Sequence, residues 1–110
     1  MDIQITARHF KAHESLREYA YTAVQKLNRY YNGILKAVVE FSYERSHNSL
    51  KVVEIHILVY GTLLKAIEKS DDYYKSVDVA LDRIERQLKR YKSKIRKKDK
   101  EAVRIAQAKI

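Results

Sequence analysis

Basic side chains are concentrated in one short segment of the 110-residue chain. Residues 83–100 hold ten lysine and arginine residues against two acidic ones, whereas residues 1–82 hold eleven of each sign. Almost all of the net charge of +9 therefore lies in this segment. Charge clustered in this way is typical of a surface that binds a polyanion, either nucleic acid or an anionic membrane.

The basic residues of this segment recur at helical spacing. Five of them lie within roughly 60° of one pole of a helical wheel, namely Arg83, Arg86, Arg90, Lys94 and Lys97. The opposite pole carries an apolar stripe of Tyr74, Val77, Leu81, Ile84, Leu88, Tyr91 and Ile95. Such a row, about 20 Å long, suits phosphate binding because several contacts release counterions together. The alternative is a solvated face that confers only solubility.

A membrane-surface helix would show a similar charge pattern. Here the apolar stripe is needed to pack against the rest of the domain, which leaves little of the helix to insert into a bilayer. We therefore predict a nucleic-acid partner and no membrane partner.

Residues able to catalyse a reaction or hold a metal are sparse. The chain has no cysteine, and its histidines, His9, His13, His47 and His56, are not spaced as metal ligands on one element. Asp71 and Asp72 are explained by capping of the second helix. We predict no enzyme activity, no metal or other cofactor and no small-molecule substrate.

Alternating and helical patterns define the elements that would position the basic row. They predict a strand over Ile3–Ala7, a helix from about Glu14 to Tyr31, strands over Lys36–Arg45, Lys51–Tyr60 and Leu63–Lys69, and a helix capped by Ser70. A turn is predicted at Ser46–Ser49. The order β-α-β-β-β-α indicates an α+β sandwich, a four-stranded sheet with two helices on one face.

Other basic residues are candidate RNA contacts only if the fold brings them near the second helix. Arg8 follows the first strand, and Lys26 and Arg29 lie late in the first helix. Two helices on one sheet face would form a groove, for which we expect basic rims. Exposed tyrosines such as Tyr21 or Tyr60 could stack on bases, with core or edge packing as the alternative.

Several stretches of the chain match one known family. They are Ile3–Arg8, Glu14–Tyr19, Lys26–Tyr31, and Ser70–Asp78 running on into Ala80–Arg90. Through these stretches the sequence resembles the ribosome hibernation-promoting factors, which include ribosome-associated inhibitor A and are also called sigma-54 modulation proteins. The resemblance covers residues 1 to about 98, so we expect a ribosome-binding domain over 1–98 and a tail or linker over 99–110.

The resemblance implies a fold similar to double-stranded RNA-binding domains and a specific partner. Such domains bind the small ribosomal subunit and its 16S rRNA between head and body, where mRNA and tRNAs would lie. They hold idle ribosomes inactive as a stress response. Matched by position, the family's rRNA contacts fall on Arg83, Arg86, Arg90 and Lys92, with Arg8 and the basic residues of the first helix as further candidates.

Other readings remain open beside this one. The domain could be a protein-interaction module regulating a transcription factor, or a generic binder of double-stranded RNA. Long members of the family carry a C-terminal domain that dimerises, so a longer form of this protein would dimerise if it had one. No secretion signal or bilayer-spanning segment is recognisable, which predicts a cytoplasmic location.

Overall fold

The computed structural model describes residues 1–45 and 49–108, with side chains as far as Lys97. Its elements are β1 (Asp2–Ala7), α1 (Glu14–Gln25), a 3-10 turn (Lys26–Arg29), β2 (Lys36–Glu44), β3 (Leu50–Val59), β4 (Thr62–Ser70) and α2 (Tyr73–Ala108). The predicted α+β order is confirmed. The predicted turn at Ser46–Ser49, including His47, falls almost wholly outside the described residues, and the 99–110 boundary stays a prediction although the α2 backbone continues to Ala108.

The four strands form one sheet in the order β1-β2-β3-β4. β1 runs parallel to β2, with Ile3 opposite Ala37, whereas β2, β3 and β4 form an antiparallel meander. A parallel pair needs a crossover connection, and α1 with its 3-10 turn supplies it. This topology leaves β4 as one edge of the sheet.

Both helices cover the same face of the sheet. Alternate residues of the two central strands point at the helices and are buried, as period-2 patterning requires: Ala37, Val39, Phe41, Val53, Ile55, Ile57 and Val59. The helices contribute Leu16, Ala20, Val24, Val77, Ala80, Leu81, Ile84 and Leu88 to the same core. The apolar side of α2 is therefore buried against the sheet.

The start of α2 differs from the prediction. Ser70 is still in β4, and Asp72 is the residue that caps the helix, because its Oδ1 accepts a hydrogen bond of 3.1 Å from the Tyr74 backbone N–H. Ser70 Oγ lies 2.6 Å from the Oγ of buried Ser76, which donates to the Lys51 carbonyl. Ser70 thus joins the helix to the sheet rather than capping it.

A different tyrosine from the predicted one reaches the core at the start of α2. Tyr73 stacks on Phe10 with 5.5 Å between ring centroids, and its hydroxyl donates to the Ser42 carbonyl at 2.8 Å. Tyr74, which the stripe placed in the core, is 38% exposed and contacts Tyr19 of α1 edge-on. The prediction of a seven-residue stripe is therefore wrong at its first position.

The first helix also ends earlier than predicted. The α-helix stops at Gln25 and tightens into the 3-10 turn, with Leu27 still fully buried. Turns of this kind are common at helix C-termini. Tyr31 then lies so close to Gly33 that a Cβ on residue 33 would be 2.5 Å from its ring, so a larger residue here would force the Tyr31 ring to move.

Side chains of α2 cover the free edge of β4. Arg83 donates to the Ile67 carbonyl, Gln87 bonds both the N–H and the carbonyl of Lys65, and one turn further on Tyr91 donates to the Tyr60 carbonyl. Edge strands with unpaired backbone groups invite association with other chains. The three α2 residues, spaced four apart, satisfy three backbone groups of β4 and one of the preceding turn, and they fix the helix against the sheet.

Removing the side chain of Leu88 tests the packing of α2. Leu88 is 1% exposed, so Leu88→Ala should lower the free energy of unfolding by about 2–5 kcal/mol through lost burial and a cavity. Denaturant unfolding followed by circular dichroism measures this change. Ser93→Ala, at an exposed position on the same helix, should shift it by less than about 0.5 kcal/mol. Equal midpoints for the two variants would contradict the packing described.

Candidate nucleic-acid interface

Four basic residues form a row on the solvent side of α2. This basic row consists of Arg86, Arg90, Lys94 and Lys97, all of them exposed and spaced by four, four and three residues. At about 1.5 Å rise per residue the row spans roughly 16 Å. Packing of the opposite side of α2 on the sheet orients the row outward. The row therefore presents several cations to solvent in one line.

The charges of the row are largely unneutralised. Arg86 pairs with Asp82 one turn earlier at 2.9 Å, an exposed contact that contributes little. Arg90, Lys94 and Lys97 form no ion pair with any residue whose side chain the structure describes. A phosphate approaching these three would not have to displace a carboxylate of any side chain that the structure describes.

Arg83 differs from the row although the wheel placed it there. Its Nη1 lies 2.7 Å from Glu68 Oε1 and 3.2 Å from the Ile67 carbonyl. Arg83 is exposed, as its place on the wheel predicts, but it is already paired because the edge strand β4 lies beside this part of α2. Its charge is already balanced within the domain, and its contact with RNA stays a prediction.

Lys92, the residue matched through the family resemblance, is also engaged within the domain. Its Nζ donates to the Tyr30 carbonyl at 3.0 Å, where the end of the 3-10 turn concentrates negative partial charge. Lys89 lies over the Tyr30 ring, 5.5 Å from the centroid. These two lysines fasten α2 to the C-terminal end of the α1 segment.

The remaining basic candidates are not all brought to the same surface. Lys26 and Arg29 are both exposed, and Lys26 lines the groove between the helices together with residues of α2. Arg8 instead pairs at 2.9 Å with Glu40, whose neighbours Val39 and Phe41 point into the core. Glu40 therefore lies on the sheet face opposite the helices, and Arg8 is separated from the basic row.

The groove between the helices does not have the basic rims that we expected. It has a volume of about 420 Å³, and its α2 side carries Asp78, Asp82 and Glu85 against Lys26 on the α1 side. The Tyr19 hydroxyl donates to Asp78 across it, and this hydrogen bond raises the pKa of Tyr19. These three acidic residues are on the flank of α2 that faces α1. The basic row begins at Arg86, after the last of them in the sequence.

The sheet face away from the helices carries both charged and apolar side chains. Glu54 Oε1 lies 2.8 Å from His56 Nε2 and 3.2 Å from Lys65 Nζ, and the hydrogen bond from His56 lowers the pKa of Glu54. Leu58 and Leu63 are opposite each other across β3 and β4, and both are exposed. Among the residues that the structure describes, no group of three or more acidic or histidine side chains is arranged to hold a metal ion.

Two contributors to the site carry no strong signal in the sequence. Gln87 and Tyr91 position α2 against β4, yet a glutamine beside the stripe and a tyrosine on it look like ordinary helix residues. The four-residue intervals from Arg83 to Gln87 and from Gln87 to Tyr91 are the one trace of the shared role. In the described part of the chain, no helix is both long and apolar enough to cross a membrane.

Comparison with known proteins places this geometry in a family. The model of the sigma 54 modulation protein / S30EA ribosomal protein family matches residues 3–96. A ribosome hibernation promotion factor of Staphylococcus aureus (strain COL) is 31% identical over 88 residues, which cover 80% of this chain and 46% of that protein. The chain thus spans about half the length of that curated relative.

Two solved structures are similar to the fold. A ribosomal subunit interface protein from Coxiella burnetii superposes with a TM-score of 0.77 at 27% identity, covering 84% of this chain and 99% of that one. The N-terminal domain of Thermus thermophilus Protein Y gives 0.71 at 30% identity, covering 83% and 99%. With the family match over residues 3–96, these findings show that the chain belongs to the sigma 54 modulation protein / S30EA ribosomal protein family.

Proposed function

We propose that this domain is a cytoplasmic hibernation factor that binds the small ribosomal subunit through 16S rRNA and blocks the sites of mRNA and tRNA. The observation that carries the proposal is the exposed basic row on a helix whose apolar side is occupied by the sheet. Family membership supports the ribosome as the partner, since one relative is named a ribosome hibernation promotion factor.

The basic row suits the backbone of structured RNA. Structured RNA is recognised mostly through shape and phosphate contacts rather than base edges. Each phosphate neutralised by the row releases counterions, so affinity should fall steeply with salt. Arg86 and Arg90 can hold a phosphate in bidentate fashion, whereas Lys94 and Lys97 act as point charges.

Steric inhibition of translation requires only that a folded domain occupy the space where mRNA and tRNA bind. The domain provides a rigid sheet and two helices with one strongly positive side. Complementary charge and shape are sufficient for such a mechanism, and no bond has to be made or broken. Dimerisation of ribosomes would require a further domain in a longer form of the protein.

One feature favours a protein partner as a second candidate. Leu58, Leu63 and Ile67 are exposed on the sheet face away from the helices, and exposed apolar patches often mark interaction sites. Lys65, His56 and Glu54 lie among them, so the patch is small and interrupted. A protein-interaction module would use this face, whereas the ribosome-binding proposal uses the opposite side of the molecule.

Charge reversal in the basic row tests the proposal. The triple variant Arg86→Glu, Arg90→Glu and Lys94→Glu should weaken co-sedimentation with small ribosomal subunits on the order of 100-fold at physiological salt, because three phosphate contacts become repulsive. A control with the same change of charge at exposed positions outside the row is Lys11→Glu, Arg45→Glu and Lys75→Glu.

The control triple should retain most of the binding. If both triples bound equally weakly, binding would reflect net charge alone. If the Leu58→Ser and Leu63→Ser double variant lost binding while the basic-row triple kept it, the protein-interaction reading would replace the proposal. An excess of duplex RNA that abolished binding would indicate a generic double-stranded RNA binder.

Single substitutions distinguish Arg90, which has no ion-pair partner among the described side chains, from Arg83, which pairs with Glu68. Arg90→Ala should reduce the salt dependence of binding by about one counterion, because it removes one phosphate contact. Arg83→Ala should leave that slope nearly unchanged, since Glu68 already balances its charge. Titration of ribosome affinity against salt concentration measures both slopes. A larger loss for Arg83→Ala than for Arg90→Ala would contradict this assignment.

A further inference from the structure

The turn between β3 and β4 carries an aromatic ring that the fold does not use. Tyr60 is 84% exposed, more than any other large hydrophobic residue in the described part of the chain. The turn needs Gly61, whose φ of 74° lies in the left-handed region, but it needs no aromatic residue at position 60. Exposing a ring so fully loses the free energy that its burial would provide.

The backbone under this ring is held in place. The Tyr91 hydroxyl donates to the Tyr60 carbonyl at 2.7 Å, and the Tyr91 ring packs edge-on against Tyr31 at 5.5 Å. Gly33 leaves the space that Tyr31 occupies. The backbone that carries the exposed ring is therefore fixed by these contacts, which reduces the conformational entropy lost when a ligand binds.

A shallow cleft lies between the first residues of β4, next to this turn, and the basic row. It has a volume of about 200 Å³ and is lined by Thr62, Leu64, Gln87, Arg90, Tyr91 and Lys94. Arg90 and Lys94 are one helical turn apart and form no ion pair with a described side chain. The residue that anchors the turn, Tyr91, directly follows Arg90 in the sequence.

We propose that the β3–β4 turn and this cleft bind an unpaired nucleotide of RNA, with the base stacked on Tyr60 and the phosphate held by Arg90 and Lys94. This inference rests on the proposed function, because the same two cations belong to the basic row. Aromatic rings beside positive charge are the usual means of binding single-stranded nucleic acid.

Stacking on Tyr60 would select unpaired over paired nucleotides. In an A-form duplex the faces of the bases are covered by their neighbours, so a protruding ring has no base face to contact. The rest of the basic row contacts phosphates alone and does not distinguish the two. The domain would therefore prefer structured RNA that has a bulged, looped or terminal nucleotide next to the phosphates bound by α2.

Affinity for short RNAs with and without a base at one position tests the site. The probes are three hairpins with the same loop, whose stems contain one bulged adenosine, an abasic bulge or, in the paired hairpin, no bulge, and each is measured by fluorescence anisotropy with the 110-residue chain. The bulged hairpin should bind about tenfold more tightly than the abasic one, in line with the contribution of one base–aromatic stack.

Variants at Tyr60 decide whether this ring is responsible. Tyr60→Ala should remove the tenfold preference and leave binding of the paired hairpin unchanged, whereas Tyr60→Phe should keep it because the ring is retained. Tyr21→Ala, at another exposed tyrosine on α1, is the matched control and should have no effect. Equal preference in Tyr60→Ala and the unmodified chain would overturn the inference.

The outcome also separates this inference from the proposed function. If the basic-row triple variant lost ribosome binding while Tyr60→Ala kept the preference for the bulged base, the stacking site would be wrong and the proposed function would stand. If the unmodified chain bound neither ribosomal subunits nor any of the hairpins, both would fall. A tenfold preference that depends on the ring at position 60 would support both.

Discussion

The packing of α2 on the sheet is the constraint from which the functional surface follows. Val77, Ala80, Ile84 and Leu88 are buried where α2 packs on β3 and β4, so the rotation of the helix about its axis is fixed by the core. The basic row, on the other side of the same helix, has its direction set by that rotation. A helix free to turn would spread its charges over a broad arc and bind phosphates with less order.

Contacts along the edge of β4 give this arrangement its precision. Arg83, Gln87 and Tyr91 each bond to backbone groups of β4 or its turn, and they tie the helix to the strand over two turns. The same contacts divide the basic residues of α2 by role. Arg83 and Lys92 hold the fold together through Glu68 and the Tyr30 carbonyl, while the cations of the row beyond Arg86 remain available to a polyanion.

Most of the architecture was predictable from the sequence because its elements are strongly patterned. Alternation along β2 and β3 and the helical period of α2 identify the core faces without knowledge of the partner elements. The first residue of α2 was harder to predict, because Ser70, Asp71 and Asp72 are all good N-caps. The three- and four-residue spacing separately placed Tyr74 in the core, where Tyr73 lies instead.

The sequence predicts that α2 carries a basic surface, but it does not predict which of its basic residues are paired within the domain. Whether an arginine on the polar side of a helix is free depends on what lies beside it, and the position of Glu68 opposite Arg83 follows only from the sheet register. The acidic groove was visible as the spacing of Asp78, Asp82 and Glu85, yet which flank of α2 faces α1 depends on how the helices pack. Tyr60 could be named as a stacking candidate, but its support by Tyr91 could not.

The central claim is that the basic row of α2 lies against RNA of the small ribosomal subunit. The chain has no cysteine, so a single Ser93→Cys variant, exposed between Arg90 and Lys94, can carry a tethered iron chelate that cleaves nearby RNA through hydroxyl radicals. Bound to small subunits, it should cleave 16S rRNA at positions lining the path of mRNA and tRNA. The same chelate at Gln4→Cys, on the first strand, should cleave far less there. Cleavage that is confined to Gln4→Cys, or absent from both on subunits that have bound the protein, would contradict the account.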